Sequence, residues 1–193
     1  GVTDYATFAK DVLKDIKDKP VSFEVFSDDF SEMERQARII ASWASNVYVK
    51  IPITNTKGAS SSELIKKLSA EGVKLNVTAI LTLPQVETVA KSLDLKTPAI
   101  VSVFAGRIAD TGHDPLPIMK QAKALLAHAP NFELLWASCR ELLNIYQAEE
   151  AGSDIVTVTH DILKKLSMVG HDHHELSIAT VKMFYEDGQK VGY

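Results

Sequence analysis

Six short runs of apolar, β-branched and aromatic residues, each followed by a stretch with helical apolar spacing, constrain what this chain can fold into. The runs cover 21–26, 47–53, 74–81, 98–105, 132–138 and 154–159. Several are apolar on both faces; 47–53 reads Val-Tyr-Val-Lys-Ile-Pro-Ile. A strand buried on both faces belongs to a parallel sheet covered by helices. The intervening stretches supply those helices. They are predicted over 4–17, from caps at Ser27 and Asp28 through Ala44, from a Ser60–Glu63 capping box to Gly72, and after Pro84. Further helices are predicted over 115–129, 141–151 and 161–166, with a terminal helix over 175–186. Strand and helix in alternation give an α/β fold with helices outside the sheet.

The length of 193 residues fits one domain spanning 1–193, and 46% hydrophobic residues are enough to fill a core. A net charge of −4 and the lack of a basic patch with interleaved aromatics argue against a nucleic-acid partner. The longest apolar runs fall short of the ~20 residues that span a membrane, so no membrane partner is expected. Gly1-Val2-Thr3-Asp4 opens with neither a basic nor an apolar leader. The single cysteine, Cys139, excludes an intramolecular disulfide, and a reducing, cytoplasmic setting is the expectation. Arg140 beside it could lower the thiol pKa, but no obvious histidine partner adjoins it.

Polar residues recur inside or at the ends of the strands: Glu24, Lys50, Asn76 with Thr78, Ser102, Ser138, and Thr157 with Thr159. An open doubly wound sheet gathers ligands at one switch point. Contributions from every strand suit a closed (β/α)8 TIM barrel, whose site draws on many strand ends. Such a barrel has eight strands. The first two are therefore expected upstream of Gly1, leaving an N-terminally incomplete barrel domain. Lys50 is the residue that fits its strand least. A buried ammonium is costly unless paired or deprotonated. It is either paired with a carboxylate from a neighbouring strand or a dry, neutral amine, nucleophilic toward carbonyls. Residues two apart share a strand face, so Asn76 and Thr78 point the same way. With Glu24 and Lys50 they assemble a carboxylate, an amine, an amide and a hydroxyl, the parts of Schiff-base chemistry, or else a hydrogen-bonded polar plug. Arg107, Ser138 and Arg140 could cradle a phosphate, or cap and pair at the rim. Gly106 and Gly112 point to a tight turn over 106–114.

The segments VYVKIPIT, GVKLNVTAIL, SVFAGRIAD and LLWASCRE resemble the transaldolase family in its short form, related to fructose-6-phosphate aldolase. The resemblance runs from about Gly1 to the C-terminus. It implies that Lys50 of the K-x-P strand forms the Schiff base and that Glu24 acts through a catalytic water held with Thr78. It implies substrate contacts from Asn76 and Ser102, and phosphate contacts from Arg107, Ser138 and Arg140. Glu24 and Phe104 are transaldolase-like, where the aldolase subgroup carries glutamine and tyrosine. A phenylalanine cannot donate a proton, which favours transfer over free cleavage.

The implied reaction moves a dihydroxyacetone unit between sugar phosphates, as in the pentose phosphate pathway, with no metal or organic cofactor. The alternatives are a class I aldolase using the same imine and a catalytically silent sugar-phosphate-binding or assembly protein. The family's acid/base aspartate lies on its first strand and another asparagine on its second. Neither strand is seen here, so this stretch alone is expected neither to turn over substrate nor to fold stably with an open edge. Short family members are oligomeric through their terminal helices. A homo-oligomer (dimer, pentamer or decamer) is therefore expected, with Met183, Phe184 and Tyr185 at the contact.

Other signals read as ordinary structure. His171-Asp172-His173-His174 is expected to be a solvated loop rather than a metal site. His113 and Asp114 read as solvated rim residues, 14–19 as an outer helix face, and Trp43 and Trp136 as core or interface.

Overall fold

A computed structural model describes residues 4–192. The chain forms two compact units, Gly1–Val158 and Thr159–Tyr193. In the first, strands β1 (Val21–Glu24), β2 (Val47–Pro52), β3 (Leu75–Ile80), β4 (Ala99–Val103), β5 (Phe132–Trp136) and β6 (Ile155–Val156) alternate with helices. These are α1 (Tyr5–Asp15), α2 (Phe30–Ala41), α3 (Ser62–Ala70), α4 (Leu83–Ser92), α5 (Ala105–Ala109), α6 (Leu116–Leu126) and α7 (Leu143–Glu150). The strands lie in chain order and every pair is parallel. The sheet curls into an open half-barrel. Among the described residues β1 and β6 each have a strand neighbour on one side only. The outward N–H of Glu24 on β1 donates instead to the Tyr5 hydroxyl of α1, at 2.9 Å.

Alternation along the strands divides two environments. Val49 and Ile51, Leu75 and Val77, Ala99 and Val101, and Leu134 and Trp136 are buried on one face. The helices cover that face with stripes at helical spacing: Met33, Ala37 and Ile40 on α2, Val86, Val89 and Ala90 on α4, Met119, Ala122 and Leu126 on α6. Tyr48, Lys50, Asn76, Thr78, Ile100, Ser102 and Leu135 point to the other face, the hollow of the curl. There Tyr48, Ile100, Leu135 and Ala137 form a small apolar cluster joined by Phe104 and Ile155.

The βα rhythm matches the sequence expectation, and several boundaries differ. Helix α2 is capped by Asp29, whose carboxylate accepts the Glu32 N–H at 3.0 Å, rather than by Ser27 or Asp28. Asp28 instead accepts both the backbone N–H and the hydroxyl of Thr56, tying the β1–α2 turn to the β2–α3 turn. The Ser60–Glu63 capping box does not form; Ser61 precedes α3, and its buried hydroxyl donates to the Pro52 carbonyl at 2.7 Å. A capping box does form at Thr82 and Gln85, ahead of α4. The stretch expected as a turn over 106–114 begins instead inside the short helix α5.

The second unit holds α8 (His160–Lys164), a 3-10 turn (Lys165–Met168) and α9 (His173–Lys190). Asp172 caps α9 by accepting the Glu175 N–H at 2.9 Å, so His173 and His174 belong to the helix and not to a loop. Among the described residues no helix is long and apolar enough to cross a membrane.

Candidate functional site

The hollow of the sheet holds a cavity of about 720 Å³. Lys50, Asn76, Thr78, Ser102, Phe104 and Ser138 line it, gathering candidates from β2, β3, β4 and the segments after β4 and β5. Their convergence follows from register: Glu24 stands opposite Lys50, and Lys50 opposite Asn76.

Lys50 lies 3.5 Å from the Glu24 carboxylate, and the two side chains are 31% and 40% exposed. Of the two environments open to this lysine, the paired, half-buried one is found; the dry one is not. The curl is open, so solvent reaches part of the side chain. Glu24 meets Lys50 but is not part of the cavity wall; it borders a small groove with Tyr5, Phe26 and Trp43.

Asn76 is buried, and its amide is fixed from both ends. Its Nδ2 donates to Ser22 Oγ at 2.9 Å, and its Oδ1 accepts from the Ser102 hydroxyl at 2.6 Å. One amide N–H remains for a ligand. Thr78 is equally buried, yet its hydroxyl has no hydrogen-bond partner among the described residues. An unsatisfied buried hydroxyl on a cavity wall is a site for a water or a substrate oxygen. Just past Thr78 the register slips between Val77 and Ile80, and Ala79 adopts φ 60°. This bulge turns Ile80 into the outer core opposite Val103 and leaves Thr78 the last β3 side chain facing inward.

The phosphate candidates are built differently. Gly106 in α5 donates its N–H to the Ala137 carbonyl at 3.2 Å, drawing α5 against the end of β5. Ser138 takes a left-handed backbone, φ 64°, at that contact. Arg107 belongs to α5 rather than to the end of β4, and its guanidinium lies over the Phe104 ring at 5.5 Å. Arg140 pairs side-on with Asp110, Nε to Oδ1 at 3.2 Å and Nη2 to Oδ2 at 2.5 Å. Both arginines are exposed and neither forms part of the cavity wall. With Arg140 turned to Asp110, burial pushes the Cys139 thiol up, and the lowering that Arg140 could have supplied is not seen.

Sequence reasoning missed Ser22, Glu133, Asn144 and Asp110. Ser22 and Glu133 line the cavity; the period-two rule that links Asn76 to Thr78 also links Ser22 to Glu24. Asn144, buried, accepts the backbone N–H groups of Arg140 and Glu141 at 2.8 and 3.2 Å and so shapes the turn after Ser138. No local pattern marks it. His113 and Asp114 are exposed and turn to their own loop, on Thr111 and the Leu116 N–H. Among the described residues no three His, Cys, Asp or Glu side chains are grouped to hold a metal ion.

Comparison with known proteins adds a further finding. The family model for transaldolase/fructose-6-phosphate aldolase matches residues 4–192. A probable transaldolase of Dehalococcoides mccartyi is 33% identical over 192 residues, covering 99% of this chain and 83% of the relative. One from Bdellovibrio bacteriovorus is 34% identical over 188 residues, covering 97% and 81%. A probable transaldolase 2 of Listeria monocytogenes is 36% identical over 161 residues, covering 81% and 70%. On a match that runs through nearly every described residue, the chain belongs to the transaldolase/fructose-6-phosphate aldolase family.

Proposed function

We propose that the chain forms the Lys50 imine of a reaction that transfers a dihydroxyacetone unit from a ketose phosphate to an aldose phosphate; carbon–carbon cleavage needs, in addition, the acid/base aspartate that the family carries on its first strand. The supporting observation is the Lys50–Glu24 separation of 3.5 Å beside a wall carrying Asn76, Ser102 and the unpartnered Thr78 hydroxyl. Glu24 takes a proton from the Lys50 ammonium, freeing the lone pair. The amine attacks the ketone carbon, and the carbonyl oxygen takes up a proton. Loss of that oxygen as water gives the protonated imine, which accepts the electron pair of the carbon–carbon bond one removed from the imine carbon once a base takes the proton of the β-hydroxyl; an aldehyde leaves and an enamine remains. A water on Thr78 relays protons between Glu24 and the carbinolamine. Asn76 holds a substrate hydroxyl with its remaining N–H. Phe104 brings no proton to the bound enamine, which favours capture by an aldehyde acceptor over release.

Arg107, Ser138 and Arg140 bind the phosphate. The accompanying fold reading is a (β/α)8 barrel in which further strands pair the free edges of β1 and β6. A reducing, cytoplasmic setting fits the lone thiol.

Borohydride reduction in the presence of fructose 6-phosphate tests the reading before any carbon–carbon bond breaks. The expected result is a stable adduct on the peptide carrying Lys50, absent from Lys50→Met. A folded wild-type chain that takes up no label, or label on another lysine, rejects the imine.

A further inference from the structure

This inference rests on the reading of Arg140 as a phosphate ligand. We propose that Asp110 is a resident carboxylate that Arg140 exchanges for the phosphate dianion of an incoming sugar phosphate. The Nε and Nη2 groups of Arg140 grip both Asp110 oxygens, at 3.2 and 2.5 Å. That fork is the one an arginine offers to a phosphate, so carboxylate and phosphate compete for it.

The backbone beneath Arg140 is held by contacts separate from those of its side chain. Its N–H donates to the Asn144 amide oxygen at 2.8 Å, and Asn144 in turn donates to Gln147 at 2.8 Å. Ser138, two residues earlier, is on the cavity wall; the Arg140 guanidinium is not. Bringing it to a ligand there means swinging the side chain off Asp110. The two candidate arginines differ in this respect. Among the described residues no carboxylate pairs with Arg107, which rests on Phe104.

The pair is suited to exchange. Its side chains are 49% and 50% exposed, the setting in which an ion pair is weak and solvent competes. A phosphate monoester carries close to two charges above its second pKa of about 6, against one on the carboxylate. The dianion therefore displaces Asp110, and an unphosphorylated sugar does not. Asp110 thus makes the site select for charge as well as shape.

The test is calorimetric titration of inorganic phosphate at fixed ionic strength into the full chain, D110N, R140Q and the double variant. Asp110→Ser, which removes the charge with a smaller side chain, is measured in parallel, with circular dichroism to verify folding. Phosphate binding is expected to weaken in R140Q. It is expected to tighten about two- to fivefold in D110N and D110S, the fold-change that corresponds to losing an exposed ion pair. In the double variant the gain over R140Q is expected to vanish. Unchanged or weaker binding in D110N and D110S overturns the exchange. So does an equal gain in the R140Q background, which is plain charge repulsion. Binding that R140Q does not weaken, or that wild type does not show, removes the phosphate reading itself and the exchange with it.

Discussion

A Cβ on Gly106 would stand 1.5 Å from the Ser138 carbonyl oxygen and 2.6 Å from its carbon. No side chain fits there, because α5 packs by its backbone against the end of β5. The contact also sets the left-handed turn of Ser138, whose side chain reaches the cavity. Gly106→Ala must push the two backbones apart, and overpacking of this kind costs about 3 kcal/mol or more where nothing flexible can yield. Urea unfolding is expected to show that loss; a variant as stable as wild type contradicts the contact. The sequence marked the glycine for a turn and not for this backbone contact, since the neighbour it meets is far along the chain. Lys50, Asn76, Thr78 and Ser102 were legible because polar residues in apolar strands violate a simple rule. The Glu24 partnership was one of two readings, and only the β1–β2 register decides between them. Asn144 acts across a turn and Asp110 through a partner thirty residues further along the chain, with no periodicity to betray either.

At the scale of elements, β3 does more than its six residues of strand imply. Had alternation continued, Ile80 would face the cavity with Thr78; the bulge at Ala79 sends it to the outer core. Alanine at φ 60° is strained by about 1–2 kcal/mol, against the ~0.4–1 kcal/mol of unfolded-chain entropy that glycine costs. Ala79→Gly is therefore expected to leave stability unchanged or raise it by up to about 1 kcal/mol. Ala79→Val, branched at the same backbone, is expected to lower it. Chemical denaturation of the two variants checks the order; the reverse order means the bulge relaxes. Bulges and short helices were the illegible part of the fold. Five residues of α5 are too few to display a helical period. Local caps were misread: Asp172–Glu175 and Thr82–Gln85 open α9 and α4 and were passed over, while Ser60–Glu63 has the same spacing and is unused. Ser61 wins there because its hydroxyl serves the end of β2.

For the whole molecule, the chain-order parallel sheet was the most legible feature, since doubly apolar strands leave few alternatives. Helix α9 has no buried residue, although Ile178, Val181 and Tyr185 recur on it at helical spacing and Phe184 and Tyr185 are 64% and 68% exposed. Apolar groups crowded on one helix mark a surface made to be covered. A second copy of the chain is the proposed cover, through α9. Sedimentation velocity is then expected to give a particle heavier than one 21.2 kDa chain. Burying one phenylalanine contributes about 1.5–3 kcal/mol, so Phe184→Asp is expected to weaken association at least about tenfold and shift the mass toward a single chain. Lys182→Asp, on the same helix, controls for charge alone. A wild type that sediments as one chain at micromolar concentration, or a Phe184→Asp variant that associates like wild type, removes α9 from the assembly. The apolar residues would then need another cover, because a bare helix of this composition gains nothing from facing water.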